Sequence, residues 1–159
     1  MSDDPAGTPP WFACGLRFTC LPGCRRCCGG APGDVWVTDA ERGALARHYG
    51  MEREEFERRY VRHYASGRAS LRERYSGECV LLDERGCSAY PVRPKQCRDY
   101  PFWPEVLASP LEWEAEKRRC PGLDQGALHS AREIEGILAT QMDADDAPQE
   151  APSSGQIRP

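Results

Sequence analysis

The stretch "CLPGCRRCC", residues 20–28, places four cysteines within nine positions. Cys24 and Cys27 have the C-x-x-C spacing with which one tight turn aims two sulfurs at one metal ion. Cys20 lies four residues before Cys24, and Cys28 directly follows Cys27. Because adjacent side chains of an extended chain point to opposite sides, we expect one of Cys27 and Cys28 to serve a second metal or the far side of a cluster.

Four more cysteines follow downstream, and together with the first four they make eight thiols. Eight thiolates are enough for two Cys₄ zinc sites or for two four-cysteine iron–sulfur clusters. The ninth, Cys14, is interpreted as a thiol outside the metal set. The candidate metal ligands are Cys20, Cys24, Cys27, Cys28, Cys79, Cys87, Cys97 and Cys120.

The composition gives little material for an ordinary hydrophobic core. The chain has 159 residues, and its 40% of hydrophobic residues includes nine cysteines, while Leu, Ile, Val and Phe are sparse. Structural zinc contributes about 10–16 kcal/mol of apparent binding energy to folding, which would compensate for a thin core. The net charge of −4 does not favour nucleic acid as a partner.

We expect neither a secretory signal at the N-terminus nor a membrane-spanning segment. The first residues are acidic and proline-rich, without the basic start and apolar stretch of a secretory signal. No run of about 18 apolar residues occurs, so no membrane span is expected. We therefore expect a cytoplasmic protein in a reducing compartment, where dense cysteines bind metal more often than they form disulfides.

The predicted fold class is α+β, a small cysteine-rich domain stabilised by metal, with a helical hairpin and a short β-hairpin. We expect a flexible lead-in over 1–13, a cysteine-cluster metal-binding domain over 14–141 and a disordered tail over 142–159. A closing helix is predicted over about 126–140 from its apolar spacing.

The cysteine-free middle of the chain predicts the helical hairpin. Thr38 and Glu41 form a capping-box pattern at the start of one helix, and Gly50 is suited to end it. A second helix is predicted to run from there to Gly67. An aromatic stripe at spacing four, interpreted as core packing, consists of Phe56, Tyr60 and Tyr64.

The second cysteine region predicts a β-hairpin followed by a short helix. "CVLL", the polar turn "DERG" and "CSAY" place Cys79 and Cys87 on the two arms, with Gly86 relieving the turn. Pro94 is suited to the first turn of a helix that carries Cys97. Cations that flank the cysteines and could offset thiolate charge are Arg25, Arg26, Arg93, Lys95, Arg98, Arg118 and Arg119.

Four motifs, in this order along the chain, resemble those of a known family. They are F-x-C-x3-C-x2-CC from Phe18 to Cys28, C-x-x-L-D-x3-C-x2-Y from Cys79 to Tyr90, RP-x2-CR-x-YPF from Arg93 to Phe102, and CPG from Cys120 to Gly122. Together they resemble the YkgJ-type cysteine-cluster family, small bacterial and archaeal proteins described as zinc- or iron-chelating domains. The resemblance implies that the eight cysteines without Cys14 are the metal set, and it brings no defined reaction. Larger proteins resembling flagellin lysine methylases carry a similar cluster.

Other chemistries fit the sequence less well. The spacing of Cys20, Cys24 and Cys27 is also that of the radical S-adenosylmethionine signature, but the chain lacks the alternating strands and helices and the ~200 residues of a barrel. The histidines are isolated in charged, helical surroundings, and no phosphate-binding loop or nucleophile elbow occurs.

Two functional hypotheses are carried forward. The first is a metal-binding protein that chelates zinc or iron through eight cysteines, in a structural or metal-handling role and not as an enzyme. The second is an iron–sulfur protein with a redox or methylation-linked enzymatic role. Zinc and iron–sulfur sites use the same thiolates, so the sequence leaves the choice open, and metal ions are the only partners it indicates.

Substituting individual cysteines separates the proposed ligands from the ninth thiol. Cys27→Ser or Cys97→Ser should lower the metal content per chain and destabilise the fold, because a ligand is lost. Cys14→Ser should do neither. Metal analysis and thermal unfolding of the three variants measure this, and identical behaviour of all three would contradict the division.

Overall fold

The computed structural model describes residues 8–28 and 33–146, with the backbone alone for 142–146. It contains five α-helices and three two-stranded antiparallel ribbons, which confirms a mixed α+β fold. The helices are α1 (Asp39–His48), α2 (Arg53–Tyr60), α3 (Lys95–Asp99), α4 (Pro110–Glu116) and α5 (Ala131–Asp146). The strands are β1 (Leu16–Phe18), β2 (Val61–His63), β3 (Ala69–Leu71), β4 (Leu82–Asp83), β5 (Gly86–Cys87) and β6 (Leu123–His129).

The described residues form two compact units. The first unit takes in 8–22 and 99–145, and the second takes in 23–28 and 33–98. The predicted metal-binding domain over 14–141 stays a prediction. Residues 1–7 of the predicted lead-in and residues beyond 146 of the predicted tail lie outside the described residues. No helix within the described ranges is both long and apolar enough to cross a membrane.

The helical hairpin of the second unit is confirmed, and its first helix begins as predicted. The Thr38 hydroxyl accepts a hydrogen bond from the Glu41 N–H at 3.2 Å, and the Glu41 carboxylate accepts from the Thr38 N–H at 2.8 Å. Both groups of the capping box therefore satisfy otherwise unpaired N–H groups at the start of α1. The backbone reverses at Gly50, whose φ is +63°.

The second helix is shorter than predicted, because α2 ends at Tyr60 instead of Gly67. Residues 61–63 form β2, which pairs with β3 in the register Val61↔Leu71. The Tyr60 carbonyl at the end of the helix accepts a hydrogen bond from the Arg72 N–H at 2.8 Å, just after β3. Val61, a β-branched residue, is 1% exposed in this arrangement.

Aromatic side chains fill the core of the second unit. Phe56 is fully buried and stacks on Tyr49, with ring centroids 6.1 Å apart and an interplanar angle of 18°. Tyr60 packs against both rings, with centroids 5.2 Å from Phe56 and 5.9 Å from Tyr49. Tyr64 leaves this stripe, because it follows the helix end; its hydroxyl donates to Asp34 at 2.6 Å. The core prediction thus holds for Phe56 and Tyr60.

The first unit is built on the ribbon of β1 and β6, which the sequence did not predict. The predicted closing helix over 126–140 starts five residues late, since 123–129 is strand β6 and α5 begins at Ala131. Ser130 caps α5: its hydroxyl accepts from the Glu133 N–H at 3.2 Å, and its own N–H donates to the Glu133 carboxylate at 2.6 Å. This capping box marks the true start of the helix.

Residues of the predicted flexible lead-in pack in the core of the first unit. The Trp11 indole donates to the Leu107 carbonyl at 2.8 Å, and Phe12 is 7% exposed. Trp113 and Ile134 are buried in the same core.

Replacing Gly122 tests how closely the chain next to β6 must approach the chain next to β1. A methyl group on Gly122 would overlap the carbonyl oxygen of Thr19, so Gly122→Ala should destabilise the protein by roughly 2–3 kcal/mol. Gly136 on α5 has no atom within 4 Å of its would-be methyl group, so Gly136→Ala is the matched control. It should stabilise by up to about 1 kcal/mol through helix propensity. Urea unfolding measures both, and equal effects would refute the close approach.

Candidate metal centre

The two units divide the nine cysteines unequally. The second unit contains Cys24, Cys27, Cys28, Cys79, Cys87 and Cys97. The first unit contains Cys14, Cys20 and Cys120. All nine lie in the described ranges and none forms a disulfide.

The N-terminal cysteine turn brings two adjacent sulfurs to the same side. Residues 26–28 form a turn, and the Sγ atoms of Cys27 and Cys28 are 3.9 Å apart. The expectation that these two side chains point in opposite directions is wrong, because it assumed an extended backbone. Two sulfurs of a tetrahedral zinc site with Zn–S distances of about 2.3 Å lie about 3.8 Å apart. The observed separation fits two ligands of one ion.

Backbone contacts dock this turn on the downstream cysteine region. The Cys79 N–H donates to the Cys28 carbonyl at 2.9 Å. The Cys24 carbonyl lies against Gly86, where a methyl group would be 3.4 Å away. Gly86 has a φ of +121°, so a glycine here accommodates both the backbone conformation and the close neighbour.

The predicted β-hairpin is present, with shorter arms than expected. β4 and β5 pair in the register Leu82↔Cys87, so Leu82 and not Cys79 lies opposite Cys87. Cys79 precedes the ribbon and forms an isolated bridge with Glu73. The Asp83 carboxylate accepts from the Arg85 N–H at 2.7 Å and closes the turn.

The helical hairpin fixes Cys87 through its neighbour Ser88, a residue that the sequence analysis missed. The Ser88 hydroxyl donates to the Leu81 carbonyl at 2.6 Å and lies 2.5 Å from the Tyr49 hydroxyl. His48 at the end of α1 contacts the Ser88 carbonyl at 2.9 Å. Its place directly after Cys87 was the one feature of the sequence that could have indicated that Ser88 positions this cysteine.

Cys97 lies on α3, as predicted, and this helix is anchored to the start of α1. The Glu41 carboxylate accepts from the Lys95 N–H at 2.7 Å. The Gln96 side chain accepts from the Trp36 N–H and donates to the Asp34 carbonyl, each at 2.9 Å. Residues of α1 and of the segment just before it therefore hold the short helix that carries Cys97.

Five thiols of the second unit form one group, which we call the five-thiol cluster. Its members interact electrostatically with one another. They are Cys27, Cys28, Cys79, Cys87 and Cys97. Among the described residues, no three His, Cys, Asp or Glu side chains already converge on a point that would hold a metal ion. The fit to metal rests on the thiol donor set and the Cys27–Cys28 separation.

In the first unit, the strand pairing places Cys20 and Cys120 near one end of the β1–β6 ribbon. The Thr19 N–H donates to the Gly122 carbonyl at 3.2 Å. Cys20 directly follows Thr19, and Cys120 lies two residues before Gly122. Cys120 is 8% exposed, whereas Cys20 and Cys14 are exposed.

The buried Cys120 has a polar neighbour in Tyr100. The Tyr100 hydroxyl donates to the Glu116 carboxylate at 2.6 Å and also forms a hydrogen bond with the Cys120 thiol. Burial, then the bonds to Glu116 and Cys120, raise the pKa of Tyr100 far above its usual range. Tyr100 therefore remains a neutral hydroxyl beside Cys120.

Comparison with known proteins now adds to this geometry. Residues 19–125 match the CxxCxxCC family, described as "putative zinc- or iron-chelating domain". The chain belongs to this family. The resemblance to a zinc- or iron-chelating cysteine-cluster family is thereby confirmed. The matched range of the CxxCxxCC domain includes the eight candidate cysteines and leaves out Cys14. No solved structure matches the chain.

Cys28 controls the ionisation of its neighbours in this CxxCxxCC domain. A hydrogen bond from the Cys28 thiol is the main reason that the pKa of Cys27 falls to about 6, against the opposing effect of burial. The same donor lowers the pKa of Cys87 to about 7. The pKa of Cys28 itself is raised, because ionisation would remove the one S–H that can be donated to either sulfur and because the thiol is partly buried.

The other two members of the five-thiol cluster have raised pKa values because they are buried. Burial raises the pKa of Cys97 to about 12, with the charges of neighbouring thiolates adding to the effect. It raises the pKa of Cys79 as well. Because metal ions bind the thiolate, these two residues must lose tightly held protons on chelation.

Arg93 is the cation that acts on most of these thiols. Its guanidinium stacks on the Tyr90 ring, 3.8 Å from the centroid. Its charge lowers the pKa of Cys27, Cys87 and Cys97. Arg25, by contrast, pairs with Glu78 at 3.9 Å, and Arg98 is exposed.

Removing the Cys28 thiol should change the reactivity of Cys27 in the metal-free, reduced chain. In Cys28→Ala the pH midpoint for Cys27 alkylation should rise from about 6 toward the ordinary thiol value of about 8.5, because its hydrogen-bond donor is lost. Cys28→Ser keeps a donor and should shift the midpoint less. Site-resolved mass spectrometry of alkylation against pH measures both variants. An unchanged midpoint in Cys28→Ala would contradict the hydrogen bond.

Proposed function

We propose that this protein chelates zinc or iron through eight cysteines and that the metal serves a structural or metal-handling role. The ligands are Cys20, Cys24, Cys27, Cys28, Cys79, Cys87, Cys97 and Cys120. One observation carries the proposal: thiols from three separate chain segments gather in the second unit, and two of them have the separation of ligands to one ion.

A structural role is supported by how short the elements are that carry the downstream thiols. The β4–β5 ribbon has two residues in each strand, and α3 has five residues. Bound metal would cross-link the turn at 24–28, the β4–β5 hairpin and α3. Metal binding to thiolates contributes about 10–16 kcal/mol of apparent free energy to folding in small zinc domains. We propose that this contribution stabilises the second unit.

The residues around the thiols contribute to metal binding in different ways. Cys27 and Cys87 are the residues most ready to bind metal near neutral pH, because their pKa values are lowered. Arg93 offsets the negative charge that accumulates as Cys97 ionises, and Arg74 does the same for Cys79. In the first unit, the Tyr100 hydroxyl donates to Glu116 and contacts the buried Cys120 thiol, so that it orients this thiol. Chelation should therefore weaken in acid, since protons compete for the sulfurs.

Metal analysis of protein purified without oxygen tests the function directly. We expect zinc or iron bound in stoichiometric amounts, and loss of that metal together with loss of thermal stability when a chelator is added. Colourless zinc protein would support the structural or chelating role. Brown protein with acid-labile sulfide would support the second hypothesis, an iron–sulfur protein with a redox or methylation-linked role. A chain that is folded and equally stable without metal would refute the proposal.

A further inference from the structure

The ribbon of β2 and β3 has one face in the core of the second unit and one face outside it. Val61 and Leu71, which lie opposite each other, are buried in that core. Because side chains alternate along a strand, the neighbouring pair of Arg62 and Ser70 lies on the other face. Trp36 forms an isolated bridge with Ser70 and therefore belongs to this second face. The face outside the core thus carries an arginine and a tryptophan.

Three arginines and two aromatic residues share this outer face, which we call the guanidinium face. Arg68 lies over the Trp36 ring, with its guanidinium carbon 3.6 Å from the ring centroid. The Tyr64 ring is 5.4 Å from that of Trp36, and Arg62 donates to the Tyr64 hydroxyl at 3.4 Å. Arg72 follows Arg68 by four residues in the same extended segment, so alternation places it on this face as well. The face consists of Trp36, Arg62, Tyr64, Arg68 and Arg72.

The arginines of the guanidinium face keep most of their hydrogen-bond donors. Within the described part of the chain, no carboxylate forms a salt bridge with any of the three. A guanidinium has five N–H donors. Arg62 uses one on Tyr64, and Arg72 uses one on the Val61 carbonyl at 2.9 Å. Arg62 and Arg72 are also exposed, so their remaining donors can reach an anion in solution.

The surroundings of the guanidinium face are positive on balance. The net charge of the chain is −4, which by itself does not favour nucleic acid. The second unit nevertheless contains 15 Arg and Lys against 11 Asp and Glu, a formal charge of +4 with protonated thiols. Two carboxylates act on Arg62, and each already accepts a hydrogen bond: Asp34 from the Tyr64 hydroxyl at 2.6 Å, and Glu73 from the Gly33 N–H at 2.9 Å. The three arginines outnumber these carboxylates, so the face attracts anions.

The planar groups of the face favour a nucleic acid over other anions. At 3.6 Å, Arg68 covers one side of Trp36, and the side of its guanidinium away from the indole is a charged platform of the kind on which bases stack. An acidic peptide would pair with the arginines but has no base to place there. Asp34 favours RNA over DNA, because its second carboxylate oxygen can accept from a ribose 2′-hydroxyl, which DNA lacks.

We propose that the guanidinium face binds single-stranded RNA. Arg62 and Arg72 contact phosphates, and Arg68, held on Trp36, stacks with a base. This inference adds a class of partner to the proposed chelating function and does not depend on which cysteines bind metal.

Fluorescence anisotropy tests the face, with a labelled single-stranded RNA of about 12 nucleotides and the full chain as purified. Each phosphate contact with a single strand contributes about 0.7 to the slope of log K against log salt concentration. The double variant Arg62→Gln/Arg72→Gln should therefore bind more weakly and show a slope that is shallower by about 1.4. Arg47→Gln removes one charge at an exposed position on α1, outside the face, and is the control that should leave the slope unchanged.

A second pair of variants separates base stacking from charge. Arg68→Lys keeps the positive charge but loses the planar group, so it should weaken RNA binding about tenfold. Arg62→Lys also keeps the charge, and it should weaken binding far less, because a phosphate contact needs no plane. A DNA strand of the same sequence should bind several-fold more weakly than the RNA, because it lacks the 2′-hydroxyl.

The possible results separate this inference from the proposed chelating function, because the metal content and thermal unfolding of every sample are measured as well. A folded, metal-loaded chain that does not bind RNA would overturn the inference and leave chelation standing. Equal weakening by Arg47→Gln would overturn the placement on this face, and equal loss in Arg62→Lys and Arg68→Lys would overturn the stacking. Equal affinity for DNA would overturn the choice of RNA. Tighter binding of an oligoglutamate peptide than of RNA would assign the face to an acidic protein partner instead.

Discussion

The hydrogen bond from the Cys79 N–H to the Cys28 carbonyl is the contact on which the candidate centre depends. It joins the N-terminal cysteine turn to a segment that lies beyond the whole helical hairpin in sequence. A thiolate site requires sulfurs from distant segments to lie within a few ångströms of one another. The backbone hydrogen bond of 2.9 Å brings two such segments together, whatever the orientation of the side chains. The close contact between Cys24 and Gly86 supports the same docking a few residues away.

The helical hairpin acts as the scaffold for the remaining donors. Its aromatic core places Tyr49 against Ser88, next to Cys87, and its capping residue Glu41 also holds the first N–H group of the helix that carries Cys97. One carboxylate thus caps α1 and anchors α3. The scaffold explains how short elements, too small to be stable alone, can present thiols in a defined arrangement.

The sequence was sufficient to predict those features that depend on residues close together in the chain. The Thr38–Glu41 capping box, the turn before Cys87 and the proline-started helix with Cys97 were all predictable, because each depends on residues within one or two turns of backbone. The matching capping box at Ser130 and Glu133 was equally visible, and it would have placed the start of α5 correctly. The end of α2 was not predictable locally, since Arg72 and Leu71 draw residues 60–61 into contact with a later strand.

The sequence by itself determined the family, because thiols at C-x-x-C spacing and four ordered motifs are properties of the chain alone. The eight-thiol donor set remains a prediction from the same pattern. The tertiary structure decided which sulfurs are neighbours. It turned Cys27 and Cys28 to the same side and assigned Cys20 and Cys120 to a different unit from the other six candidate ligands. The physical reason is that side-chain direction depends on backbone conformation, while the meeting of distant thiols depends on hydrogen bonds and packing between segments that no local pattern records.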